Sequence, residues 1–244
     1  MGATGRLVNH DPASRGYAAP PAPLKQVSWL HRLGPVLNQA DVNGCVGWTG
    51  ADWLNAALAL RNRRRYNAAT LRDWSNVSRP QSVSYLRDRD GQSLYEASTR
   101  NDPFDWTYPP TDGGSSALGL GKALKAAGVI DSYLWTFSFA QLLAHGVRQP
   151  LCIGTVWTDA MSDPDSKGII RAGTDAAVKA AADDGMGHEY LLRGVNWPRK
   201  LARIRNHWTP DWGIKGDALI PLDDLERLII KYRGDVMVPT LAVA

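Results

Sequence analysis

The stretch 38–60, NQADVNGCVGWTGADWLNAALAL, limits the fold more than any other part of the chain. A turn containing Gly44 passes directly into a helical pattern, with Cys45 at the junction and Gln39 six residues before it. Val46, Ala51, Leu54, Ala57 and Leu58 recur at helical spacing along one face. This predicts a core-anchored helix that ends near Arg61 to Arg65. A thiol at a helix start lies beside unpaired backbone N–H groups and the positive end of the helix dipole, both of which favour the thiolate. The expectation is a rigidly held cysteine nucleophile with a lowered pKa.

The rest of the composition narrows the class. At 244 residues, 44% hydrophobic and 21% charged, the chain reads as soluble and globular with a full core. No apolar run approaches the about 18 residues of a membrane span, and no basic-then-apolar start resembles a signal peptide. These features predict no membrane partner and a cytoplasmic or virion-associated protein. A net charge of +4 is too weak a bias for a nucleic-acid partner. Two cysteines, Cys45 and Cys152, exclude a disulfide framework, and Cys152 within LCIGTVW reads as a core strand position. The histidines at 10, 31, 145, 188 and 207 form no zinc spacing. Gly121-Lys122 lacks the leading glycine and the Ser/Thr of a phosphate loop, so neither a metal nor a cofactor is expected.

Residues 1–26, rich in Pro, Ala and Gly, read as an extended arm, and 27–244 as the folded domain. The basic cluster RNRRR reads as a solvated helix end that complements the dipole. Helices are expected around Ser82 to Arg100, over GGSSALGLGKALKAAGV with Ser115 or Ser116 as N-cap and Gly128 closing it, and over SFAQLLAHG. PLCIGTVW follows as a strand, and the long connection Asp159 to Gly187 reads as a lip over a site. HEYLLRGVNW, KLARIRNHW and IKGDALIPL then read as sequential antiparallel strands, and Asp223 with Glu226 suggests a capping-box entry to a last helix. Helices first and sheet afterwards give an α+β class.

A cysteine peptidase needs a thiolate, an imidazole, a group that orients the imidazole, and donors for the oxyanion. Cys45 is the candidate nucleophile, and its backbone N–H with the Gln39 amide could make the oxyanion hole. His188 opens a strand after Gly185-Met186-Gly187, and Asn206 closes the next, so an antiparallel hairpin would set them side by side. Taken singly, each has a plainer reading: a structural cysteine, a core histidine, a turn asparagine. His207 is the rival imidazole, expected to face away from the Asn206 side chain.

On these residues the chain resembles the papain-like cysteine peptidases, of bacterial and bacteriophage type. VSWLHRLGPVLNQ is similar to the family's segment leading to its glutamine, and NQADVNGCVGW to the run from that glutamine to the catalytic cysteine. GHEYLLRGVNW resembles the strand headed by the catalytic histidine. RNHWTPDWGIKGDALIPL resembles the asparagine-tryptophan-glycine run, with Asn206, Trp208, Trp212, Gly213 and Gly216 in register. LYEASTR and the GGSSALGLGKALKAAGV helix look similar to bacterial and phage members. The resemblance implies a two-lobed fold: a helical lobe, about 40–145, carrying the nucleophile helix, and an antiparallel β lobe, about 146–235. It implies that Cys45 attacks a peptide carbonyl, His188 shuttles the proton, Asn206 orients the imidazole, Gln39 stabilises the oxyanion and Trp208 shields the His–Asn contact. Pairing with His188 would lower the Cys45 pKa further.

The sequence departs from the family at several points. Val46 and Gly47 separate Cys45 from Trp48, where papain has a tryptophan directly after the cysteine. Glu189 follows His188 in place of a small residue and is expected on the opposite strand face. No cysteines are present for the family's disulfide, and with 38 residues before Gln39 a long inhibitory prosegment of the family's kind is not expected. The expected function is hydrolysis of a peptide or protein substrate. The competing readings are a silent papain-like module with a virion or assembly partner, and a thiol amidase or cell-wall peptide hydrolase.

Overall fold

The computed structural model describes residues 4–9, 12–19, 26–30, 33–60 and 85–242. The RNRRR cluster and the expected end of the first helix at 61–65 lie outside them. Helix α1 (Cys45–Leu60) starts where the N–H groups of Gly47 and Trp48 both donate to the Gly44 carbonyl, at 2.8 and 3.4 Å. Helix α2 (Asp88–Thr99) starts where the Arg87 N–H donates to the Asp90 carboxylate at 2.8 Å, satisfying one of the donors a helix start leaves open. α1 and α2 meet through small residues. A Cβ on Gly47 would stand 2.2 Å from the Gly91 carbonyl oxygen, and the Trp48 ring lies over Gly91. Helix α3 (Ala117–Ala126) is capped by Ser116, whose Oγ accepts the Gly119 N–H, and Gly128 follows it at a left-handed φ of 66°. These helices enclose a core of Leu37, Trp53, Leu54, Leu94, Tyr95, Leu120 and Leu124.

The strands are β1 (Val27–Ser28), β2 (Ile130–Trp135), β3 (Leu151–Val156), β4 (Gly187–Asn196), β5 (Leu201–Arg205), β6 (Asp217–Pro221) and β7 (Asp235–Leu241). They form one antiparallel sheet in the order β2-β7-β3-β4-β5-β6, with β1 added on β4. β4, β5 and β6 are the three sequential strands expected from the sequence. β2 and β7 were not apparent there: β2 is half-exposed along its middle without clean alternation, and β7 contains Pro239. Alternation across the central strands divides the interior. Cys152, Leu191 and Met237 face the helical core, whereas Leu151, Ile153, Tyr190 and Leu192 join Ile204 and Ile220 in a second core behind the sheet.

Helix α4 (Phe139–Gly146) precedes β3, with Ser138 as its N-cap. The long connection after β3 contains α5 (Asp175–Asp183) and rests on β6, where Ile170 N–H donates to the Leu219 carbonyl at 2.8 Å. The last helix, α6 (Leu222–Glu226), corrects one expectation. It begins at Leu222 after Pro221 with no side-chain cap, so Asp223 and Glu226 do not form a capping box; Asp223 and Asp224 instead sit in the first turn, where the dipole favours them. Among the described residues, no helix is long and apolar enough to cross a membrane.

Candidate active site

Cys45 is the first residue of α1 and is completely buried. The sequence predicts a lowered thiol pKa; the structure shows the opposite. Burial pushes the thiol up to about 12, against the pull of backbone N–H groups of Glu189, Val46 and Gly5, while the Glu189 carboxyl also raises it. Part of the cover is the segment 4–9. The N–H groups of Gly5 and Arg6 both donate to the Gly187 carbonyl at 3.1 and 3.2 Å. Leu7 N–H donates to Ser115 O at 2.8 Å, and Ser115 N–H returns to Gly5 O at 2.9 Å. Residues 5–7 therefore bridge the residue before His188 and the residue before the Ser116 cap. Gly5 is packed so closely that a Cβ there would lie 1.9 Å from the Asn43 carbonyl oxygen.

His188 stands near the start of β4, wholly buried, with Nε2 2.8 Å from Asn206 Oδ1. The same oxygen accepts the His207 backbone N–H at 2.8 Å, which fixes the orientation of the amide. An acceptor opposite Nε2 places the proton of the neutral ring there and leaves Nδ1 with its lone pair. Nδ1 has no hydrogen-bond partner among the described residues, so thiol and imidazole are not bonded in this arrangement. Burial also lowers the His188 pKa to about 4, opposed by the hydrogen bond to Asn206. Both groups are neutral here. Trp157 and Trp208 enclose the ring, each with its centroid 4.8 Å away, and Trp208 packs edge-on to Trp212 at 5.9 Å.

Gln39 is buried just before α1. Its amide NH2 donates to the Val42 carbonyl at 2.8 Å, which turns Oε1 towards His207 Nδ1 at 2.6 Å. The second ring nitrogen of His207 accepts the Thr49 hydroxyl at 3.0 Å. With both nitrogens engaged, His207 ties β5 to α1 and holds Gln39.

The structure thus brings His188, Asn206 and Trp208 into direct contact, sets Gln39 on His207, and puts Cys45 under the N–H of the residue after His188. Sequence reasoning missed Gly5, Arg6, Thr49 and Asp235. Glu189 alone carried a signal, an acid where a small residue was expected, and its carboxyl is buried on the strand face away from His188.

No protein-family profile matches the chain, and no curated protein sequence matches it. Solved structures do. Xylellain, a cysteine protease from Xylella fastidiosa, superimposes with a TM-score of 0.62 at 16% identity over 99% of this chain and 97% of that one. The bromelain protease of Ananas comosus, in complex with the E64 inhibitor, gives 0.52 at 12% identity over 88% and 98%. The ragweed cysteine protease Amb a 11, in its proform, gives 0.53 at 14% identity over 90% and 67%. The chain has the two-lobed, papain-like α+β fold of these cysteine proteases.

Proposed function

We propose that the chain is a cysteine peptidase that hydrolyses peptide bonds of peptide or protein substrates through Cys45, His188 and Asn206. The observation that carries this reading is the His188 ring itself: Nε2 is held by Asn206, and Nδ1 has no partner among the described residues, in a site that also holds a helix-start thiol. A substrate peptide takes the place of residues 5–7 across the thiol. Cys45 Sγ–H then gives its proton to His188 Nδ1, and the thiolate attacks the carbonyl carbon. The resulting oxyanion is received by the Cys45 backbone N–H and the Gln39 amide. His188 returns the proton to the leaving amine, and an acyl thioester remains on Cys45. Water, deprotonated by Nδ1, releases the acid and restores the thiol. Asn206 keeps the ring oriented throughout, and Trp157 and Trp208 exclude water from that contact, which strengthens it.

The test is reaction with E64, followed by peptide mapping and a screen of fluorogenic peptides. Labelling at Cys45 rather than Cys152, with cleavage lost in Cys45→Ala, is the expected result. A protein that folds yet neither labels at Cys45 nor cleaves any peptide overturns the reading and leaves the fold as a binding module, for instance for a virion or assembly partner.

A further inference from the structure

The segment that covers Cys45 also carries a guanidinium into the β lobe. Arg6 is 3% exposed, and its Nη2 lies 2.5 Å from Asp235 Oδ2 and 3.5 Å from the Arg233 carbonyl. Glu189 belongs to the same buried cluster: burial and the neighbouring Asp235 charge hold its carboxyl well above the usual range, and the Arg6 guanidinium opposes them. Its two carboxylate oxygens, Arg6 Nε and Asp235 Oδ1 have no hydrogen-bond partner among the described residues. The three side chains converge over Gly154, where a Cβ would stand 2.4 Å from Glu189 Oε2, 2.6 Å from Arg6 Nε and 2.6 Å from Asp235 Oδ1. The space exists because residue 154 has no side chain. Its acids come from fixed neighbours in the sheet, with Gly154 paired to Glu189 on β4 and to Asp235 on β7. Only the cation comes from outside the sheet.

A buried ion pair that serves stability alone has its charges matched and its donors and acceptors filled. Here two carboxyls face one guanidinium, and four polar atoms remain open. The backbone around Arg6 is bonded to Gly187 and Ser115 on the two sides of the site, and the Gly5 backbone is near enough to the Cys45 thiol to pull its pKa down against burial. Arg6 therefore sits as a residue of a peptide laid beside the nucleophile.

We propose that Glu189 and Asp235, over Gly154, form a specificity pocket for an arginine side chain of the substrate within two residues of the cleaved bond, and that Arg6 is its internal occupant. A planar guanidinium can donate to both carboxyl groups at once, which a lysine ammonium does less well. An apolar side chain leaves both acids buried without a cation. The cleavage step rests on the peptidase reading above; the pocket does not.

The experiment uses the full chain with Arg6→Ala, which empties the pocket, and fluorogenic peptides varied at the two residues on either side of the cleaved bond. At one of these positions arginine should exceed leucine in kcat/KM by at least about tenfold, with lysine between. Adding Glu189→Gln or Asp235→Asn should bring that ratio towards one; if the first does not fold, the second carries the test alone. Equal cleavage of arginine and leucine peptides, or a ratio indifferent to the acid substitutions, overturns the pocket and leaves the peptidase standing. If no peptide is cleaved, the peptidase reading fails and binding decides the pocket, by fluorescence anisotropy of labelled arginine and leucine peptides on Arg6→Ala. Binding at least about tenfold tighter for arginine supports it, and equal or absent binding overturns it.

Discussion

His188 and His207 lie with ring centroids 5.2 Å apart, both fully buried and both held below the ordinary imidazole range by burial. Neither exposure nor acidity distinguishes them. What differs is the number of ring nitrogens left open. His188 spends one on Asn206 and keeps Nδ1 unpartnered among the described residues, whereas His207 spends both, on Gln39 and Thr49. The first can exchange a proton with a thiol; the second can only hold its neighbours in place. On the proposed mechanism, adjacent histidines in one buried cluster would divide into a proton carrier and a strut by their hydrogen bonds alone.

The strongest way to break this comparison is to remove each ring in turn. His188→Ala should lower kcat/KM by about 10^3-fold or more, the range expected for loss of a general acid and base. His207→Ala should cost much less. Equal losses in steady-state assays would mean that the open nitrogen does not mark the shuttle.

The next effect concerns the thiol that His188 must meet. Gly5→Val cannot be seated, because its Cβ would collide with the Asn43 backbone. Uncovering Cys45 should return its pKa from about 12 towards the ordinary thiol range or lower. Alkylation at pH 7 should then rise by about a hundredfold, with buried Cys152 as an internal control that stays slow. An unchanged rate, scored by peptide mapping, would show that segment 4–9 is not what silences the thiol.

Acid should expose what the two rings share. The folded state keeps His188 neutral down to about 4, whereas an ordinary imidazole protonates near 6.5. Above pH 6.5 neither folded nor unfolded protein carries this proton, so the full stability is present. Between 6.5 and about 4 only the unfolded chain takes it up, and stability falls on the order of 3 kcal/mol from His188, with a further loss from His207. Urea unfolding at pH 7 and pH 4.5 measures the drop, and His188→Gln should make it shallower. Buried carboxyls such as Asp52, whose pKa burial raises to about 7, change stability in the opposite sense. The His188 contribution is therefore read from the difference between the parent and His188→Gln, and equal profiles in the two would show that this ring is not buried as a neutral group.

How much of this was legible in the sequence follows from the range of each interaction. Cys45 at a helix start, the three strands from Gly187 to Pro221 and the Ser116 cap are local patterns, and all of them are present. The Asp223–Glu226 cap failed because the helix starts at Leu222, one residue before Asp223, with Pro221 in the N-cap position. The direction of the thiol pKa was misread for a physical reason: helix-end stabilisation of a thiolate presumes access to water, and segment 4–9 lies across the thiol. Nothing periodic in GATGRLVNH announces that Arg6 will meet Asp235, 229 residues away. His207 looked like a bystander facing away from Asn206, because its partners come from a turn and a helix on the other lobe.

The smallest effect sharpens the role of that bystander. Thr49→Val removes the hydroxyl from His207 Nε2 but leaves the Nδ1 bond to Gln39, whereas His207→Phe removes both and leaves Gln39 Oε1 buried without that donor. If His207 acts by positioning Gln39 for the oxyanion, His207→Phe should lower kcat by about tenfold with little change in KM, because the amide is used mainly in the transition state. Thr49→Val should stay within about twofold on both parameters, since the Gln39 contact survives. Matching losses in the two variants would move the role of His207 from Gln39 to the packing of β5 on α1. Thermal melts separate the cases: packing lowers Tm in proportion to the loss of rate, and positioning lowers kcat in protein that melts as the parent does.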